Sequence, residues 1–241
     1  MAAAPNYDGR WLPVESNPEM LNAYAAKLGL DTSAARFADV LSTEAWALDM
    51  LPRPVHALIV LFPIKPASEA FRAAEEAARA ASPAPHASTF FVTQTIPNAC
   101  GTIALVHALA NSCAQAGGAL ALPEDSWLGR FVAAQQGASP AARAAALEAD
   151  AALEAFHSGA VQQGQSAVVD DTHQHFFCLV ERGGRLVELD GRKAAPIVHG
   201  PTTADTLLED AAAFVRAVME RDPGELRFSL IALARTAPEE E

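Results

Sequence analysis

Cysteine is scarce in this chain. Three residues, Cys100, Cys113 and Cys178, are spread over 241 positions at spacings that match no disulfide framework. A small disulfide-stapled fold is therefore excluded, and a reducing compartment is expected. Neither Cys-x-x-Cys nor His-Glu-x-x-His occurs, so the strongest metal-site signals are missing too. Positive charge is equally thin. With 17 Lys and Arg against 29 Asp and Glu, the formal charge is −12, which argues against nucleic acid and suits a basic partner. The apolar run from Leu58 to Phe62 falls far short of the roughly 20 residues a membrane helix needs. Met1–Pro5 has neither the basic start nor the apolar core of a signal peptide. No Pro/Gly/Ser-rich linker divides the chain. The expectation is a single domain over 1–241, soluble and intracellular, with no membrane partner.

What is present concentrates first in the string from Gln94 to Ile103, Gln-Thr-Ile-Pro-Asn-Ala-Cys-Gly-Thr-Ile. Cys100 stands where a polar turn gives way to the apolar run Ile103–Ala110, which reads as a buried helix. Unpaired backbone N–H groups and the positive end of the helix dipole favour a thiolate there. Gly101 removes a side chain beside the sulfur, which predicts close approach by a substrate backbone. Gln94, six residues upstream, carries an amide able to donate to a developing oxyanion. A buried cysteine acting only as a small hydrophobe is the plainer alternative. A nucleophile would need a histidine, and that histidine an orienting partner.

Both occur further on. His175–Val180 reads as a buried strand, Gly183-Gly184 as a turn, and Leu186–Leu189 as the returning strand of a hairpin. A turn centred on Arg182 and Gly183 sets His175 opposite Asp190, within reach for a carboxylate to accept from the imidazole. A turn centred on Gly183-Gly184 instead opposes His175 to Arg192. The plainer alternative makes Asp190 a turn residue before Gly191 and leaves both histidines as solvated strand ends. His173 and His175 share a strand face, and periodicity does not choose between them. His-x-His raises a metal site, but Cys178 lies on the opposite face and no other ligand is suitably spaced.

Elsewhere helix and strand signals alternate. Asn17 caps a helix with Pro18 at its first position, which runs towards Leu28 and ends at Gly29. An apolar element begins over Phe37–Val40, and Val55–Phe62 reads as a central strand. Helices are expected over Glu69–Ala81 on the surface, Ile103–Ala116, Ala141–Phe156 and Asp205–Glu220, with a last strand over Arg227–Ala234. The sum is an α/β chain of α+β type, an antiparallel sheet flanked by helices. Phe156–Val168 reads as a long loop, and Pro238–Glu241 as a frayed tail. Cys113 and Cys178 are expected in the core.

The two clusters together resemble the ubiquitin C-terminal hydrolase family of papain-like cysteine peptidases. Arg10–Pro18 resembles the family's opening segment, Gln94–Thr102 its nucleophile loop, and His175-Phe176 its histidine strand. Leu186–Lys193 with Pro196–Gly200 resembles its acid strand and exit turn. The resemblance implies Cys100 as nucleophile, His175 as general base and acid, Asp190 as its orienting carboxylate, and Gln94 as oxyanion donor. His173 then becomes a neighbour. No metal or organic cofactor is implied, and ubiquitin or a related modifier is the implied partner. It also implies a crossover loop over 156–168, a knotted backbone, a ubiquitin-facing segment at Trp11–Val14, and a short, monomeric, cytoplasmic form that could also reach the nucleus. A non-catalytic ubiquitin-binding protein is the alternative, which the four intact positions oppose.

Overall fold

The computed structural model describes residues 11–78, 88–113, 118–164 and 173–237. Expectations for Met1–Arg10, for 165–168 of the crossover loop with the knot that depends on it, and for Pro238–Glu241 lie outside these residues. So do the ends assigned to two helices, at 79–81 and 114–116.

A six-stranded sheet organises the chain. Its strands are β1 (Ala35–Asp39), β2 (Val55–Pro63), β3 (Gln174–Arg182), β4 (Arg185–Leu189), β5 (Ile197–Pro201) and β6 (Ser229–Arg235), in the spatial order β1-β6-β2-β3-β4-β5. Every neighbouring pair is antiparallel. β2 is buried on both faces, as its unbroken apolar run anticipates. Ala57, Ile59 and Leu61 face one cluster, shared with α1 (Pro18–Leu28), α4 (Cys100–Ser112), α5 (Trp127–Ala134), α6 (Pro140–Glu148) and α7 (Ala151–Val161). Leu58 and Val60 face the other, under α2 (Ala45–Leu48) and α8 (Leu207–Met219). Helix α3 (Pro66–Ala78) buries no residue and lies on the surface. No helix among the described residues is long and apolar enough to cross a membrane.

Local chemistry accounts for the helix limits. Asn17 accepts from the N–H groups of Glu19 and Met20, and Gly29 ends α1 at φ 122°, where a side chain would be strained. The single helix expected over Ala141–Phe156 is two. Asp150 breaks it by accepting the Leu153 N–H at 2.9 Å as an N-cap, and takes the Trp127 indole N–H at 3.0 Å. Helix α7 then runs on to Val161, so Phe156–Val161 are helical rather than loop. At the outer edge of the sheet, the Asn22 side chain pairs with both the N–H (2.7 Å) and the C=O (2.9 Å) of Phe37.

Candidate active site

Helix α4 is buried at every residue and packs against β3 and β2. It starts at Cys100, and Ala99 before it offers no side-chain cap, so the first-turn N–H groups stay free to face an anion. The His175 imidazole and the backbone N–H groups of Gly101 and Phe176 act on the sulfur and favour its thiolate. Burial pushes the Cys100 thiol up; His175 and the two N–H groups outweigh it, and the thiol is held below its ordinary range.

The β3–β4 ladder pairs Cys178 with Leu189, Leu179 with Glu188, Val180 with Val187 and Arg182 with Arg185. Gly183 and Gly184, at φ 61° and 76°, form the two-residue turn. This is the register that opposes His175 to Arg192, so direct opposition of His175 and Asp190 is corrected. Continued, the ladder would set Asp190 against Phe177, on the face of His175 and diagonal to it. Instead the strand ends at Leu189 and the chain curls: the Lys193 N–H reaches the Asp190 carbonyl at 2.9 Å, and the Arg192 N–H reaches Asp190 Oδ1 at 2.8 Å. The curl brings the same Oδ1 within 2.6 Å of His175 Nε2. Nδ1 is left for the sulfur. Burial lowers the imidazole, but the Asp190 charge and its hydrogen bond, with those of Cys100, raise it to about 9. Burial raises the Asp190 carboxyl, and His175 more than reverses this, so the acid sits below its usual range. Phe62, paired with His175 across β2, meets the imidazole edge-on at 5.8 Å. His173 is exposed beyond the strand end, and its carbonyl takes the Ile64 N–H.

Gln94 is fixed to the acid turn through its backbone, whose N–H donates to the Gly191 carbonyl at 2.8 Å. Its side-chain amide donates to the Ile96 carbonyl at 3.1 Å, leaving Oε1 buried without a partner. The expectation for Gly101 needs correction. A Cβ there would lie 2.0 Å from Val14 Cγ2 and 3.3 Å from the Phe176 ring. The absent side chain makes room for the chain's own Val14, not for a substrate.

Two residues that sequence reasoning passed over hold this loop. His107 is fully buried in α4. Its Nε2 accepts the Val92 N–H at 3.0 Å, so Nδ1 carries the proton towards the Leu189 carbonyl at 3.3 Å. Burial keeps it neutral, with its pKa down at about 4. One turn on, Asn111 brackets Phe90, accepting its N–H and donating to its C=O, both at 2.8 Å. The signal was polar residues at an i, i+4 spacing inside an otherwise apolar helix, since buried polar groups must find partners.

One group of possible metal ligands occurs among the described residues, Glu75, Glu188 and His199. It contains neither His173 nor His175. Lys193 already serves as its cation, pairing with Glu75 and lying 2.5 Å from Glu188 Oε1.

A family profile described as ubiquitin carboxyl-terminal hydrolase, family 1, matches residues 11–220. The chain belongs to this family. Ubiquitin carboxyl-terminal hydrolase 3 of Arabidopsis thaliana is 40% identical over 227 residues, 94% of each chain. Isozyme L1 of the ubiquitin carboxyl-terminal hydrolases is 41% identical in Rattus norvegicus and 40% in Homo sapiens, over 93% of this chain and 98% of each relative. Among solved structures, the catalytic domain of Trichinella spiralis UCH37, bound to ubiquitin vinyl methyl ester, superposes with a TM-score of 0.73. That match covers 95% of this chain and 97% of that one at 22% identity, and it shows the shared fold. The matched residues 11–220 span Cys100, His175 and Asp190.

Proposed function

We propose that this chain is a single-domain cysteine peptidase that hydrolyses adducts from the C-terminal glycine of ubiquitin. The observation that carries the reading is the Cys100–His175–Asp190 arrangement, assembled from three separate elements in a chain of this family. Cys100 is the nucleophile. Its thiolate adds to the terminal carbonyl carbon of ubiquitin, and the C=O electron pair moves onto the oxygen. The oxyanion is met by the Cys100 backbone N–H and the Gln94 amide, which must leave Ile96 to reach it. His175 gives its proton to the departing amine or thiol as the C–N or C–S bond breaks. It then takes a proton from water, whose oxygen displaces the sulfur and frees the carboxylate. Asp190 holds the imidazole with Nδ1 towards the sulfur and stabilises its cation.

Exposure to ubiquitin carrying an electrophile in place of its terminal carboxylate tests the reading. A covalent adduct should form with the wild type and vanish in Cys100→Ala. An adduct that survives the substitution places the nucleophile elsewhere; no adduct from folded wild type turns the assignment to another modifier or to a binding role. We further propose that the site admits small or unfolded leaving groups ahead of folded conjugates. The enzyme then acts as a monomer on ubiquitin–peptide fusions well ahead of di-ubiquitin, and equal turnover of the two sinks that part.

A further inference from the structure

The first turn of the nucleophile helix carries a buried polar relay that the triad does not use. Thr102, two residues after Cys100, is fully buried. Its hydroxyl lies 3.1 Å from the Tyr24 hydroxyl of α1 and 2.9 Å from His157 Nδ1 of α7. His157 Nε2 lies 2.8 Å from the Leu12 carbonyl. A carbonyl only accepts, so Nε2 carries the proton and Nδ1 is the acceptor. The donors then run one way: Tyr24 to Thr102, Thr102 to His157, His157 to Leu12. Burial suits this neutral ring, drawing its pKa down to about 4.

The far end of the relay is the extended segment 11–16. Trp11 lies over His157 with ring centroids 4.2 Å apart. Val14 fills the space beside Gly101. The Glu15 carboxylate abuts Gly164, just past the end of α7, and Ser16 bonds Ser229 of β6 at 2.7 Å. The segment thus packs, through buried Val14, against the helix residue next to Cys100. It has no strand partner among the described residues; side-chain contacts hold it, and His157 of α7 ties its Leu12 carbonyl to Thr102 of α4.

We propose that His157 is a positioning residue for substrate: it latches segment 11–14 onto the first turn of α4 and so sets the position of that segment next to Cys100. The proposal rests on the hydrolase reading above. Its effect falls on binding, because the segment packs against Gly101, the neighbour of Cys100, without touching the reacting atoms.

Two near-isosteres separate the halves of the latch. His157→Asn keeps a polar atom where Nδ1 meets Thr102 and loses Leu12. His157→Gln places its amide where Nε2 meets Leu12. With a fluorogenic amide of the ubiquitin carboxyl terminus, H157N and H157Q, each cutting one half of the latch, should both raise KM about tenfold with kcat within about threefold. Without substrate, amide exchange over 11–16 should quicken in H157N while β2 remains protected. A merely structural role instead lowers protection throughout and leaves KM of the folded enzyme unchanged, and that result overturns the proposal. Should the His157 variants fail to fold, Thr102→Val against Thr102→Ser decides in the same way, with the valine raising KM. Failure of the wild type to form the Cys100 adduct counts against the hydrolase reading, whereas the exchange result judges the latch alone.

Discussion

At the scale of single residues, the chemistry proposed for Cys100 turns on how Asp190 holds His175. The imidazole is raised to about 9 in the folded chain, above its unfolded value near 6.5. Its contribution to stability is therefore complete below about pH 6.5 and is lost as pH rises through about 9. The thiol and imidazole titrate as a coupled pair, and kcat/KM should hold across neutral pH and fall on the alkaline side near 9. In Asp190→Asn, burial of His175 loses its main counterweight. The alkaline limb should then move to lower pH and kcat/KM fall by about 10²–10⁴. An unmoved limb would show that Asp190 does not set the imidazole. The sequence displayed all three of these residues, because their types and spacing are local facts. It could not display Val14 beside Gly101, a contact between residues far apart in the chain.

Secondary-structure elements were legible where their signals were local and blurred where geometry was collective. Asn17, Pro18 and Gly29 fix both ends of α1 through caps within the segment itself. The β3–β4 register depends on which two residues occupy the turn, and the Asp190 contact arises only because the chain curls after Leu189. The α6–α7 break was hidden by alanine-rich sequence that favours helix throughout, with Asp150 as its one sign. Replacing Asp150 with alanine removes an N-cap and strands the Trp127 indole N–H. A loss of about 1–3 kcal/mol is expected from the urea midpoint at unchanged m-value. Gly101→Ala drives a methyl into Val14 and should cost about 1–3 kcal/mol. Adding Val14→Ala should recover part of it, so additivity in the double-mutant cycle would refute the contact.

For the molecule as a whole, the charge of −12 acts at a distance. Fields of this sign quicken encounter with a basic partner and fade once ionic strength brings the Debye length to about 10 Å at 0.1 M. With ubiquitin amide substrates, kcat/KM should fall as salt rises while kcat holds; a flat profile would assign the acidity to solubility alone. The sheet also has ends, and β1 is one of them. An open edge is a template on which a second chain can add its own strand. The Asn22 carboxamide occupies the outward N–H and C=O of Phe37, mimicking the peptide group of a missing neighbour. A side chain is thus spent where another fold would close into a barrel. Without it the edge would remain folded but recruit its own kind, and the defect would surface as turbidity on storage long before any change in turnover.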